Sequence, residues 1–219
     1  MRKYLLIILV ILIFTYNVEA AKISKEEIEF NGGLTYNNYL YKKYDIEQGE
    51  KELDNNPSII EDLHQGSGYY IETVYWFNHH WGLQLGLQKN EMKAEWESNN
   101  QEKVYKVNLD TYYSGLMYNL NCNVKLYCNV NYNFYQEHYS KEKFSADMKE
   151  GNGLGFMLGT ELNYSLNQDL DLILDTGYYL ANLEINERYS SYQGEVINVN
   201  DEELRISGLG LKLGIGYKF

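Results

Sequence analysis

The sequence predicts an all-β protein, an eight-stranded antiparallel up-and-down transmembrane β-barrel with short periplasmic turns and long extracellular loops. Three observations predict it. After residue 20 the chain contains eight stretches with an apolar residue at nearly every second position, no charge falls on those positions, and the connections alternate between short and long. Apolar alternation with a period of two is typical of strands that have two different faces.

The first 20 residues are predicted to be a cleaved signal peptide. Two basic residues precede an apolar run at 5–14, and Val18-Glu19-Ala20 fits a small-residue cleavage rule. The run is too short to span a bilayer alone. We expect one mature domain at 21–219. The whole chain has a formal charge of −12, and removal of two basic residues and one acidic residue with the signal peptide leaves the domain with −13. So acidic a domain is not expected to bind nucleic acid.

The apolar face of each strand follows from its alternation. Taken at every second residue, the apolar positions are 28–36, 69–77, 81–87, 105–117, 124–134, 154–166, 170–180 and 209–219. The skipped positions on the opposite face hold charged residues that include Glu72, Asp110, Lys125, Glu161, Asp171, Asp175, Lys212 and Lys218. A basic residue on a lipid face costs about 2–4 kcal/mol near the midplane. A slip of one residue would exchange the faces, so the register is strongly specified.

A soluble secreted barrel of the lipocalin or avidin kind would also alternate. Side-chain volume decides against it, because the interior of an eight-stranded barrel is only just filled by side chains. The apolar set consists largely of Leu, Tyr, Phe and Trp, whereas the other set is rich in Gly, Asn and Thr. We therefore predict that the small polar set faces inward and the large apolar set faces lipid, where closed barrels satisfy every backbone group.

The connections predict the orientation of the barrel. Short turns are expected at 78–80, 120–123 and 167–169, and long loops at 42–65, 90–102, 140–152 and 184–203. This rhythm is typical of outer-membrane barrels and places both termini in the periplasm. Within the last loop, 189–199 is predicted to continue the final hairpin above the membrane.

Aromatic residues are predicted to form two girdles at the membrane interfaces. The girdle near the turns comprises Tyr75, Phe77, Trp81, Tyr164, Tyr217 and Phe219. The girdle near the loops comprises Tyr36, Tyr105, Tyr132, Phe134 and Tyr178.

The ending Leu211-Lys212-Leu213-Gly214-Ile215-Gly216-Tyr217-Lys218-Phe219 resembles the C-terminal assembly signal of outer-membrane proteins. Along its mature length the chain resembles the small barrel superfamily of OmpX, the OmpA membrane domain and OmpW. The resemblance implies that Tyr217 and Phe219 are recognised by the barrel assembly machinery. It also implies a multi-pass β-barrel in the bacterial outer membrane, in contact with its lipid.

The candidate site is a polar network in the lumen. Glu72, Glu161, Asp175 and, somewhat higher, Asp110 are predicted to face Lys212, which acts as the hub, with Lys125 and Arg205 as distal partners. One interpretation is a polar plug that satisfies the lumen. The alternative is a cation-selective path or a bound divalent ion.

Three functions remain open at this stage. The first is a non-enzymatic surface barrel that serves envelope integrity or binds a surface ligand through its loops. The second is a narrow passive channel for small apolar molecules or cations. The third is a lipid-modifying enzyme, which is disfavoured because the parity around His138 indicates no nucleophile within its reach. No cofactor or metal site is predicted, and Cys122 and Cys128 are expected to be free thiols.

Overall fold

The computed structural model describes residues 27–42, 64–98, 101–121, 123–141, 144–190, 195–197 and 202–219. The predicted signal peptide lies outside these residues. The strands are β1 Glu27–Lys42, β2 Gln65–Trp76, β3 Trp81–Ser98, β4 Gln101–Asn121, β5 Val124–Lys141, β6 Phe144–Ser165, β7 Leu170–Ser190, β8 Glu195–Ile197 and β9 Glu202–Lys218. Among the described residues, no helix is long and apolar enough to cross a membrane.

The strands form one closed antiparallel barrel. Each strand from β1 to β7 pairs with the next, and β9 pairs with both β7 and β1, which closes the cylinder. In the described part of the chain, the short β8 pairs only with the end of β7, at Arg188–Ser190. It therefore extends the last hairpin and does not add a ninth strand to the barrel wall. The predicted eight-stranded up-and-down fold and the predicted continuation of the last hairpin are both confirmed.

Seven of the eight strands present the predicted face to the outside. Their apolar positions are largely exposed, with Leu34, Leu209 and Phe219 each at least 65% exposed, while the alternate positions are buried or half-buried. An apolar exterior around a polar interior is the arrangement that lipid requires.

The prediction for β4 was wrong, because its two faces are exchanged. Tyr105, Leu109 and Tyr113 are buried inside the barrel, and Tyr112 and Leu120 are exposed outside. Both faces of this strand carry large apolar or aromatic residues at lipid height, such as Tyr113 and Met117 on one and Tyr112 and Leu120 on the other, so alternation alone could not separate them. Tertiary packing decides the question, because Tyr113 lies directly opposite Gly86 on β3 and fills the space that the missing side chain leaves.

The barrel wall also rises further than predicted. The predicted loops 90–102 and 140–152 are mostly strand, since β3 continues to Ser98 and β6 begins at Phe144. Over β3 the polarity of the wall reverses above Leu87: Lys89, Glu91 and Lys93 point outward, whereas Met92 and Ala94 are buried. A membrane-facing wall has thus become a water-facing one, and its apolar residues point inward.

The inward residues of this raised wall form a cluster that we call the upper core. Its members come from six strands, so the cluster spans the barrel: Tyr39, Met92, Ala94, Tyr105, Val107, Leu109, Tyr135, Tyr179, Ala181, Leu183, Ile185, Leu204 and Ile206. The burial of Tyr105 removes it from the predicted upper girdle. Exposed Tyr112 takes that place, where its ring packs edge to face on Phe134 at 5.8 Å.

The short turns match the prediction, and asparagine side chains hold them. The Asn78 Oδ1 atom accepts hydrogen bonds from the backbone N–H groups of His80 at 2.9 Å and Trp81 at 2.8 Å. Asn167 does the same for Asp169 and Leu170, both at 2.9 Å. These are Asx turns, in which the side chain replaces a backbone acceptor.

The inverted faces of β4 can be tested by thiol labelling in a background in which Cys122 and Cys128 are replaced by serine. A membrane-soluble thiol reagent should label Tyr112→Cys rapidly and Leu109→Cys poorly, because only position 112 faces lipid. Labelling would be measured by mass shift on folded protein in vesicles. Preferential labelling at position 109 would contradict this orientation.

Candidate functional site

The ammonium of Lys212 occupies the centre of the membrane-level lumen. Its Nζ atom lies 3.4 Å from Asp175 Oδ2 and 3.5 Å from Glu72 Oε2, and all three side chains are buried. A buried charge is tolerated only when it is paired. The strand register contributes directly, because Asp175 is the cross-strand neighbour of Lys212 between β7 and β9.

Three tyrosine rings surround this ammonium. Its Nζ lies 4.9 Å from the ring centroids of Tyr70 and Tyr113 and 5.5 Å from that of Tyr127. Such distances lie within the range of cation–π attraction. The lysine is therefore held both by carboxylates and by the negative faces of aromatic rings. We call these residues, with Glu72 and Asp175, the lysine cage.

Glycines on the neighbouring strands allow the three rings to lie along the wall. Tyr113 lies over Gly86, and Tyr127 lies over Gly159 and Gly177 in the same cross-strand row. A Cβ atom added at any of these glycines would collide with the ring of the tyrosine. Gly86, Gly159 and Gly177 are thus sites at which tyrosines pack.

The third ring crosses the seam where the barrel closes. Tyr70 on β2 lies opposite Gly33 on β1, which in turn lies opposite Gly214 on β9. A Cβ atom at Gly214 would meet the Tyr70 hydroxyl, and one at Gly33 would meet the backbone of β9. This row packs one tyrosine across both strands of the seam.

The tyrosine hydroxyls also position the carboxylates. Tyr113 donates to Glu72 at 2.7 Å and Tyr127 donates to Asp175 at 2.8 Å. Glu72 accepts a further hydrogen bond from Asn31 Nδ2 at 3.0 Å. Hydrogen bonds to charged groups are the stronger kind, so these donors hold both carboxylates in place.

A second buried lysine lies closer to the turn end. The Nζ atom of Lys125 is 2.6 Å from Glu29 Oε2 and 3.0 Å from Glu161 Oε1, and it is 5.2 Å from the ring of Trp76. Glu161 is the cross-strand neighbour of both Lys125 and Asp175. The row Lys125, Glu161, Asp175, Lys212 therefore joins the two lysine centres across four adjacent strands.

The structure brings together four of the five residues that the sequence singled out. Asp110 is the exception: it points outward from β4 and pairs with Lys89 at 2.8 Å, both side chains being partly exposed. The expectation for Arg205 is also wrong, because it is exposed on the outer face of β9. Asp110 is misplaced for the same reason as the rest of β4.

Sequence reasoning missed Glu29 and the three tyrosines of the lysine cage. Glu29 occupies an inward position of β1, between outward Ile28 and Phe30, so its parity could have identified it. Tyr113 was placed on the wrong face. Tyr70 and Tyr127 had the correct parity, but no signal in the sequence paired them with their glycines on other strands.

Above the lysine cage, amides and then apolar residues fill the lumen. Asn90 accepts hydrogen bonds from Thr35 at 2.6 Å and from Asn37 at 2.7 Å above the cage, whereas Gln84, which accepts from Asn129 at 2.8 Å, lies beside Glu72 at the level of the cage. The upper core follows, and Glu137 accepts hydrogen bonds from the Tyr105 and Tyr135 hydroxyls within it. In the described part of the chain, no group of three or more His, Cys, Asp or Glu residues is arranged to hold a metal ion.

The energetic role of Lys212 can be tested by replacement with methionine. Lys212→Met should destabilise the barrel by about 3–5 kcal/mol, because Glu72 and Asp175 lose their shared cation in a buried site. Urea unfolding in detergent micelles, followed by tryptophan fluorescence, would measure the loss. Lys89→Met, which removes an exposed ion pair, should cost at most about 1 kcal/mol. Equal losses in the two variants would contradict a central role for the cage.

Solved structures of outer-membrane proteins are similar to this chain in fold. The chain is similar in fold to Ail, the attachment invasion locus protein of Yersinia pestis, solved in complex with the heparin analogue sucrose octasulfate. The identity is 16%, the match covers 90% of this chain and 100% of that one, and the TM-score is 0.54. The outer membrane protein OprG from Pseudomonas aeruginosa matches at 12% identity over 90% of this chain and 97% of that one, with a TM-score of 0.48.

A search of curated proteins finds no match for the chain. The family comparison covers almost its whole length, since residues 6–219 match the model described as outer membrane protein beta-barrel domain. The apolar belt, the closed antiparallel wall and this match lead to one conclusion: the chain belongs to the outer membrane protein beta-barrel family and is a β-barrel of the bacterial outer membrane.

Proposed function

We propose that this protein is a non-conducting, non-enzymatic barrel that carries its extracellular loops above the membrane for surface binding or envelope integrity. The observation that carries this proposal is the filling of the lumen at successive levels. The lysine cage occupies the membrane level, the hydrogen-bonded group of Thr35, Asn37 and Asn90 lies above it, and the upper core spans the barrel above that. A paired and hydrogen-bonded interior favours a plug over a path.

The raised wall supports a role at the cell surface. A transmembrane β-strand needs about 9–11 residues, whereas β4, β6 and β7 have 21, 22 and 21. The additional residues form a water-facing barrel with its own apolar core. Such a pedestal would hold the loops rigidly and at a distance from the lipid headgroups.

The charge of the chain bears on the kind of partner. Ail was solved with a sulfated heparin analogue, so a barrel of this fold can bind a polyanion. This chain has a formal net charge of −12, and its raised wall exposes acidic residues such as Glu91, Glu184 and Glu203. We infer that its surface ligand is cationic or neutral, because an acidic surface repels polyanions.

One observation favours the competing channel function. Glu72, Glu161 and Asp175 give the lumen an acidic character that would suit weak cation passage.

The position of His138 bears on the enzyme hypothesis. Its side chain is half-buried on the outer face of β5 and does not point towards the lumen carboxylates. The proposal of a non-enzymatic barrel rests on that separation.

Planar-bilayer recording of purified, folded protein would distinguish a plug from a channel. The wild-type protein should give no steps in the ionic current beyond those of a bilayer without protein. Tyr39→Ala/Tyr179→Ala removes two rings that pack 5.8 Å apart in the upper core and should permit intermittent conductance. Tyr178→Ala, on the lipid face of the same strand, is the matched control and should stay silent. Stable cation-selective steps in the wild type that disappear in Glu161→Gln would overturn the proposal.

We also propose that the C-terminal residues serve as the assembly signal. The exposed rings of Tyr217 and Phe219 pack edge to face at 4.6 Å, and Phe219 also packs on Phe30 at 5.4 Å. Deleting Phe219 should lower the amount of folded barrel in outer-membrane fractions while leaving secretion intact, as measured by a heat-modifiable gel shift. Tyr164→Ala, in the same girdle, serves as the control. Normal insertion of the truncated chain would show that Phe219 is dispensable.

A further inference from the structure

The charges of the membrane-level lumen do not balance. Four carboxylates, those of Glu29, Glu72, Glu161 and Asp175, are buried around only two buried lysines, Lys125 and Lys212. Asp171 stands apart, because its partner is Lys218 at 2.6 Å, near the turn end. If every carboxylate were ionised, the cluster would carry a net charge of −2. An uncompensated charge in a buried site is so costly that the group takes up a proton instead.

The four carboxylates differ in how well their charge is supported. Glu72 accepts hydrogen bonds from Asn31 and Tyr113 and pairs with the Lys212 ammonium. Asp175 accepts a hydrogen bond from Tyr127 and pairs with the same ammonium. Glu29 forms the shortest contact to Lys125, at 2.6 Å.

Glu161 is the least supported of the four. Its Oε1 atom is 3.0 Å from Lys125, yet neither of its carboxylate oxygens accepts a hydrogen bond of good geometry. It is also fully buried.

The strand register provides a partner for a proton on Glu161. Glu161 and Asp175 are direct cross-strand neighbours between β6 and β7, and both point into the lumen. Directly opposed residues have Cβ atoms about 4.5–5.5 Å apart, which brings two carboxyl groups within reach of one hydrogen bond. The Oδ2 atom of Asp175 is buried and lies 3.4 Å from the Lys212 ammonium, but it accepts no hydrogen bond of good geometry. Two carboxylates that share a site cannot both ionise easily.

We propose that Glu161 and Asp175 share one proton in the folded barrel at neutral pH, with the Glu161 carboxyl donating its O–H to the Asp175 carboxylate. The charged and titratable groups that face the pair are Glu29 from β1, Tyr70 and Glu72 from β2, Tyr113 from β4, Lys125 and Tyr127 from β5, and Lys212 from β9. The shared proton reduces the surplus charge of this cluster and links β6 to β7 at the centre of the membrane.

This proton makes the stability of the barrel depend on pH. In the unfolded chain Glu161 is a normal glutamate and loses its proton above about pH 4.3. The folded state then binds one proton more than the unfolded state, so stability falls as pH rises through the neutral range. One extra proton corresponds to a roughly tenfold rise in the unfolding equilibrium constant for each pH unit.

The first test measures this slope in detergent micelles by urea unfolding between pH 6 and pH 8. In the wild type the unfolding equilibrium constant should rise about tenfold for each pH unit. Glu161→Gln should lose this pH dependence, and Asp175→Asn should lose it as well because the pair no longer exists. Glu184→Gln, an exposed substitution on the raised wall, should keep the wild-type slope. Identical slopes in the wild type and Glu161→Gln would overturn the proposal.

The second test is spectroscopic and needs no unfolding. Infrared spectra of the folded wild-type protein at neutral pH should contain the carbonyl band of a protonated carboxylic acid, with a shift in heavy water. The band should be absent from Glu161→Gln and present in Glu184→Gln. A wild-type spectrum without the band would refute the inference. It would also be refuted if the melting temperature of the wild type, but not that of Glu161→Gln, depended on sodium or calcium ions, because a bound metal cation would then neutralise the pair in place of the proton. Neither outcome would bear on the conductance test of the closed lumen.

Discussion

The structure of this barrel depends on the placement of one ammonium, that of Lys212, in a closed interior. An isolated cation there would be prohibitively costly, so the interior is organised around it. Glu72 and Asp175 provide the opposite charge, and three tyrosines provide ring faces and hydroxyl donors. Those rings require glycines on adjacent strands, which explains Gly86, Gly159, Gly177 and Gly214. Charge pairing, ring packing and backbone approach are therefore parts of one arrangement that connects all eight strands of the barrel wall.

A second constraint is the change of solvent along the barrel axis. At membrane level the outside is apolar and the inside polar, whereas in the raised wall the outside is charged and the inside is the upper core. The same strands cross both regions without interruption. Strands β3, β7 and β9 therefore exchange the polarity of their two faces at the height where lipid ends. This exchange converts a membrane anchor into a rigid surface structure, and it is the feature that most directly favours a role for the loops.

The two lysine centres differ in a way that affects the interpretation of the lumen. Lys212 lies between two carboxylates that other side chains also support, whereas Lys125 lies between Glu29 and a poorly supported Glu161. The excess of carboxylates could favour cations passing through the lumen, or it could be neutralised by a proton held between two strands. The filled layers above the cage favour the second view. On that view the acidic residues stabilise a plug and are not the lining of a path.

Much of this architecture follows from the sequence alone. Alternation determined the strand number, the lipid face of seven strands and the inward position of Lys212, because a charge on the lipid face is too costly. Two features required the tertiary structure. The faces of β4 depend on whether Tyr113 meets Gly86, a contact between strands that periodicity within one strand cannot report. The height of the wall depends on an apolar core shared by six strands, whose segments look like polar loops when each is read alone.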